Sequence, residues 1–115
     1  MTPADFPLEL YRGDSGHWQF KLWAGGGFPY DLTGVTAKSQ IRDRPGGTKI
    51  TDLVCVITLP NIIDVQLLAA DSQNLLPKGA WDLQITNGSG EVLTPVAGAV
   101  TVTPDVTDST PPVPP

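Results

Sequence analysis

Ala80-Trp81-Asp82-Leu83-Gln84-Ile85-Thr86-Asn87-Gly88-Ser89-Gly90 is the stretch that decides the fold class. Trp81, Leu83 and Ile85 alternate with Asp82, Gln84 and Thr86. Strict alternation places successive side chains on opposite faces, so the segment reads as an antiparallel strand with one apolar and one wet face. Asn87-Gly88 followed by Ser89-Gly90 supplies residues that turn the chain tightly. A second Val- and Thr-rich run follows from Glu91, so a hairpin is expected.

The same period recurs upstream. Trp18, Phe20 and Leu22 alternate with His17, Gln19 and Lys21, and Trp23 then falls outside the inward row. Val35, Ala37, Ser39 and Ile41 alternate with Thr36, Lys38, Gln40 and Arg42. Shorter patterns cover Leu8 and Leu10, and Ile63, Val65 and Leu67. In Leu53 to Thr58 both rows are apolar or β-branched, which suits a strand covered on both sides. Glu91 to Val96 and Ala99 to Thr103 read as strand, with Pro95 and Gly98 interrupting as at an edge or bulge. Turns are expected at 12–16, 43–47 and 60–61. One short helix is expected over 69–76, capped by Asp71 or Ser72 and ended by Pro77-Lys78-Gly79.

About seven strands, with turn signals roughly every ten residues, describe an all-β, immunoglobulin-like β-sandwich with one short helix. The expected core is Trp18, Phe20, Leu22, Ile41, Val65, Trp81, Leu83 and Ile85. Residues 1–5 read as an N-terminal arm and 6–104 as the sandwich. Residues 105–115, with Pro111, Pro112, Pro114 and Pro115, read as an extended tail that lies on a neighbour. The 115 residues suffice for one hydrophobic core.

Composition narrows the function classes. The net charge is −5 and the seven Lys and Arg form no stripe, so no nucleic-acid partner is expected. No run is long and apolar enough to span a bilayer, and Met1 to Asp5 lacks the pattern of a secretory signal. Cys55 is the only cysteine, which excludes an internal disulfide or a cysteine-rich zinc site. The sole histidine, His17, reads as outward and Cys55 as inward, so no nucleophile–base pair is expected. The Asp residues lie on turns or outward strand positions, no calcium-loop spacing occurs, and Gly25-Gly26-Gly27 lacks the Lys-Ser/Thr of a phosphate loop. No catalytic residue, cofactor, metal or small-molecule substrate is expected. Arg12-Gly13-Asp14 reads as a turn chosen for its backbone. Trp23, Phe28 and Tyr30 surround the glycine-rich loop, either as interface anchors or folded over one end of the core.

Tyr30-Asp31-Leu32-Thr33-Gly34-Val35-Thr36-Ala37-Lys38-Ser39-Gln40-Ile41-Arg42, Pro45-Gly46-Gly47, Leu75-Leu76-Pro77-Lys78-Gly79-Ala80-Trp81-Asp82-Leu83-Gln84-Ile85-Thr86 and Gly98-Ala99-Val100-Thr101-Val102-Thr103-Pro104-Asp105-Val106-Thr107 together resemble the LtfC-like β-sandwich family of phage virion proteins, over roughly residues 6–107. The resemblance implies a structural protein of a phage virion, a tail, collar or fibre-attachment module made in the host cytoplasm. It implies copies of the chain and other virion proteins as partners, and it supplies no catalytic residues. Trp23, Phe28, Tyr30, Pro111, Pro112 and Val113 are the candidate contact residues. Two alternatives stay open: a capsid decoration protein, and a carbohydrate- or host-surface-binding module using the aromatics.

Overall fold

The computed structural model describes residues 3–104, so the expectations for the tail, including Pro111, Pro112 and Val113, lie outside the described residues. The chain is all-β with one short helix. In order it forms β1 (Ala4–Asp5), β2 (Leu8–Tyr11), β3 (Gly16–Lys21), β4 (Thr36–Arg42), β5 (Lys49–Thr58), β6 (Ile62–Leu67), α1 (Ala69–Ser72), β7 (Lys78–Thr86) and β8 (Val92–Thr103). Ala4–Asp5, within the stretch read as an arm, is thus a strand.

The first sheet runs β1/β2–β8–β7–β4–β5 and the second runs β5–β6–β3. This is the immunoglobulin-like sandwich order, with β1 and β2 parallel to β8 and the remaining pairs antiparallel. One strand belongs to both sheets. Lys49 to Leu53 pair with β4, and Val54 to Thr58 pair with β6. The core-facing row Thr51, Leu53, Cys55 and Ile57 keeps its parity through the crossing, so β5 turns a corner without losing register.

Trp81, Leu83 and Ile85 are buried as the alternation requires, facing Ile63, Val65 and Leu67 of the other sheet. Ser39 is buried in the same layer, and its hydroxyl donates to the Asp82 carbonyl at 2.6 Å, which removes the cost of a polar group in the core. Trp18 and Phe20 differ from expectation: they are half-buried. Strand β3 is the outer strand of its sheet, so its inward residues have neighbours on one side only.

Phe20 nonetheless has a defined role. Its ring lies 5.8 Å from Trp81 and 5.2 Å from Phe6, the latter edge-on. The Trp81 indole N–H donates to the Phe6 carbonyl at 2.7 Å. Gly98 sits opposite Trp81, and any Cβ there would strike the Phe6 carbonyl. Glycine at 98 is therefore a packing requirement.

Three further expectations are corrected. Strand β8 runs from Val92 to Thr103, so the interruption expected at Gly98 is absent, whereas the bulge expected at Pro95 is present. Between the pairs Leu83–Val96 and Ile85–Leu93 the strand spends an extra residue, and Pro95 lies in this bulge, where a missing N–H costs least. The helix is one turn, is preceded by Leu68 and receives no side-chain cap. Ser72 is instead fully buried. It accepts from the Gly13 N–H at 2.9 Å, so it pins the Arg12-Gly13-Asp14 turn. Val54 and Val56 are exposed, because among the described residues nothing covers them on the outer face of the second sheet.

Trp81→Ala removes the indole from all these contacts, and a loss of about 3–5 kcal/mol is expected. Urea denaturation followed by circular dichroism measures it. Gly98→Val should also lower the midpoint, by displacing the Phe6 backbone, and an unchanged midpoint in either variant contradicts the assignment.

Candidate functional site

The loop between β3 and β4 leaves the sandwich at Leu22, whose backbone is tied to the β5–β6 turn. Its N–H donates to the Asn61 carbonyl at 2.9 Å, and the buried Asn61 side chain donates to the Leu22 carbonyl at 2.8 Å. Leu32 returns to the same turn, donating to Pro60. Both feet of the loop therefore stand on one rigid support.

Above that support the loop is a narrow ribbon. Trp23 and Pro29 form a bridge, Ala24 donates to the Phe28 carbonyl and Tyr30 to the Leu22 carbonyl. The chain reverses through Gly26 and Gly27 at φ of 78° and 80°, a conformation open to glycine at little cost. The ribbon leaves Trp23 60% and Phe28 72% exposed, while Tyr30 packs against the core. The two sequence readings of the aromatics thus divide: Tyr30 caps the core, and Trp23 and Phe28 face water. At the loop's foot, hydrogen bonds from the Thr33 side chain and N–H hold the Asp31 carboxyl below its ordinary value.

The register places more apolar surface at this end. Thr36 pairs with Thr86 and Thr86 with Val92, and Lys21 pairs with Ile62, so the loop shares one end of the sandwich with the 59–61 and 87–91 turns. Leu59 and Val92 are also exposed at this end of the sandwich. Asn87 stiffens its hairpin by accepting from the Ser89 and Glu91 N–H groups. Leu59 and Val92 were not singled out in the sequence, because an apolar residue beside a turn looks the same whether a neighbour covers it or not. Strand β8, from which the tail continues, ends at the opposite end.

His17 and Cys55 do not meet. His17 lies on the outer face of the second sheet, 2.9 Å from Asp64, which also accepts from Gln19. Cys55 faces inward, and burial pushes its thiol up to about 11. Among the described residues, no three His, Cys, Asp or Glu side chains gather as metal ligands. No helix among them is long and apolar enough to cross a membrane.

The outer face of the first sheet carries an open trough of about 850 Å³ between Asp5 and Arg44, floored by Ala80, Ala97 and Ala99. Of the two arginines that line it, Arg42 donates to the Gly47 carbonyl at 2.7 Å and to Gln40 at 2.9 Å. Partial burial raises the Asp82 carboxyl there, against the pull of Arg42. The sequence signal for this trough was the run of small residues at outward positions of two adjacent strands.

No protein-family model and no curated protein matches the chain. Among solved structures it is similar to the N-terminal Ig1-2 module of the Drosophila receptor protein tyrosine phosphatase DLAR, with 12% identity and a TM-score of 0.49, over 96% of this chain and 50% of that one. It is also similar to the SrpA adhesin of Streptococcus sanguinis, with 15% identity and a TM-score of 0.47, over 85% of this chain and 55% of that one. The chain thus spans about half the length of each.

Because Trp23 and Phe28 face water, Trp23→Ser and Phe28→Ser should each change stability by less than about 0.5 kcal/mol, as surface substitutions do. Thermal denaturation checks this. Alkylation of Cys55 should be slow at neutral pH and should keep accelerating with pH until it levels off above about 11, since the thiolate is the reactive form and burial disfavours it. The rate of iodoacetamide labelling against pH measures it.

Proposed function

We propose that the domain is a non-enzymatic assembly module of a phage virion, of the tail, collar or fibre-attachment type, present in multiple copies. The observation that carries this reading is the apolar end of the sandwich. Trp23, Phe28 and Leu59 on hydrogen-bonded loops, and Val92 at the start of β8, are exposed at this end. Large apolar side chains held in water favour a partner that covers them, and aromatics are the commonest anchors of such contacts. The resemblance of residues 6–107 to virion β-sandwich proteins supplies the particle.

The geometry suits an adaptor. The apolar end would face one neighbour, and β8, after which the Pro-rich residues 105–115 follow in sequence, ends at the opposite end. A segment of that composition loses little entropy when it is laid on a surface. Repetition by symmetry then makes many modest contacts act together.

Immunogold electron microscopy with antibodies against the purified domain tests the assignment. Label on the tail or collar is the expected result. Label on the head moves the protein to the capsid-decoration class, and unlabelled particles overturn the reading. Combining Trp23→Ala with Phe28→Ala should reduce incorporation into particles at least about tenfold, the scale expected for loss of interface anchors. Binding of an intact domain to a glycan array, lost in the same variant while incorporation persists, would favour the carbohydrate-binding alternative.

A further inference from the structure

Strand β5 leaves β4 after Leu53 and follows β6, so the edge of Val54 to Thr58 that β4 abandons has no strand beside it among the described residues. An open strand edge is a template for another strand, and folded proteins usually guard it with Lys, Pro, a bulge or short length. The other edges here are guarded. Strand β3 presents His17 and Lys21, and β1 and β2 are short, interrupted by Pro7 and flanked by Asp5 and Glu9. Val54-Cys55-Val56-Ile57-Thr58 has no guard, and every side chain from Leu53 to Ile63 is uncharged. Its outward residues Val54 and Val56 are 41% and 47% exposed.

We propose that β5 pairs with β5 of a second copy, antiparallel and centred on Val56, joining the two second sheets into one continuous sheet. The segment is complementary to itself about that point. Val56 meets the partner's Val56 on the two-fold axis, Val54 meets the partner's Thr58, and Cys55 meets the partner's Ile57. Outward residues oppose outward ones and inward residues oppose inward ones, as an isologous contact requires. Alternation along an antiparallel ladder gives about four to six new backbone hydrogen bonds. Pro60 has no N–H and ends the ladder beyond Leu59.

Charge selects the same occupant. A chain of net charge −5 meets its own copy most easily where carboxylates are remote. Asp64, on the neighbouring strand, would stand three strand spacings from its counterpart, about 14 Å. That exceeds the ~8–10 Å screening length of physiological salt. Residues 105–115 are a poorer occupant, because Asp105, Asp108 and four prolines interrupt any ladder they would form. The edge is available to a second copy whatever larger assembly the domain belongs to.

Sedimentation velocity on the purified protein, at concentrations up to about 1 mM, tests the pairing. The wild type should form dimers. Val56→Lys, which places like charges directly opposite each other, should weaken association at least about tenfold, with the circular dichroism spectrum unchanged. Leu76→Lys, at a position that is 46% exposed and outside β5, should associate as the wild type does. In a Cys55→Ser background, Val56→Cys should oxidise to a covalent dimer and Val54→Cys should not, because Val54 faces the partner's Thr58. A monomeric wild type, a Val56→Lys variant that dimerises normally, or equal cross-linking at 54 and 56 overturns the proposal. If Val56→Lys fails to fold, the cysteine comparison decides. Particle labelling is a separate measurement, so either reading can fail without the other.

Discussion

The hydrogen bond from the Trp81 indole to the Phe6 carbonyl is the contact on which the arrangement of the sheets most depends. Trp81 belongs to the first sheet, Phe20 to the second, and Phe6 to the segment linking β1 to β2. Their rings pack together at centroid distances of 5.2–6.4 Å. The indole is buried, so its N–H needs an acceptor, and the backbone of the N-terminal segment provides one. Gly98 permits that approach because it has no Cβ. Sheet packing, N-terminal strand pairing and a buried polar group are thereby settled at one place.

A sandwich has two open sides, and this chain closes them by different means. On one side the Phe6–Phe20–Trp81 cluster spans the gap between β8 and β3. On the other, β5 passes from sheet to sheet and links them covalently. Each solution has a consequence. On the aromatic side, the N-terminal strands pair parallel to β8. The covalent side frees half of β5 from β4 and leaves an edge with exposed valines. The surface with the greatest capacity for pairing is thus a product of how the core is closed.

The apolar end has a similar origin. Its loops are stiff because their feet are bonded to each other, through Asn61 and Leu22 and through the Asn87 turn. The Trp23–Pro29 bridge and the glycine reversal at Gly26 and Gly27 shape the ribbon, and Trp23 and Phe28 stand exposed on it. An exposed aromatic on a preorganised loop loses little further freedom on binding, which favours recognition over internal packing.

Alternation, turns and strand count were legible from the residues alone. Trp81, Leu83 and Ile85 announce a half-buried strand because the side-chain period of a strand is a local property. Asn87-Gly88 announces its hairpin for the same reason. The outward position of Trp23 was legible as a break in that period. What neighbours each strand was not legible. Trp18 and Phe20 have the same pattern as Trp81 and Leu83, yet they are half-buried, because β3 is outermost in its sheet. Val54 and Val56 look like the residues of a covered strand and stand in water. Ser72 looks like a cap and instead anchors a turn far away in sequence. The division between Tyr30, packed on the core, and Phe28, exposed, also followed only from the folded ribbon. Periodicity reports which way a side chain points relative to its own backbone. Burial, edges and interfaces depend on what lies across the gap, and only tertiary structure places those partners.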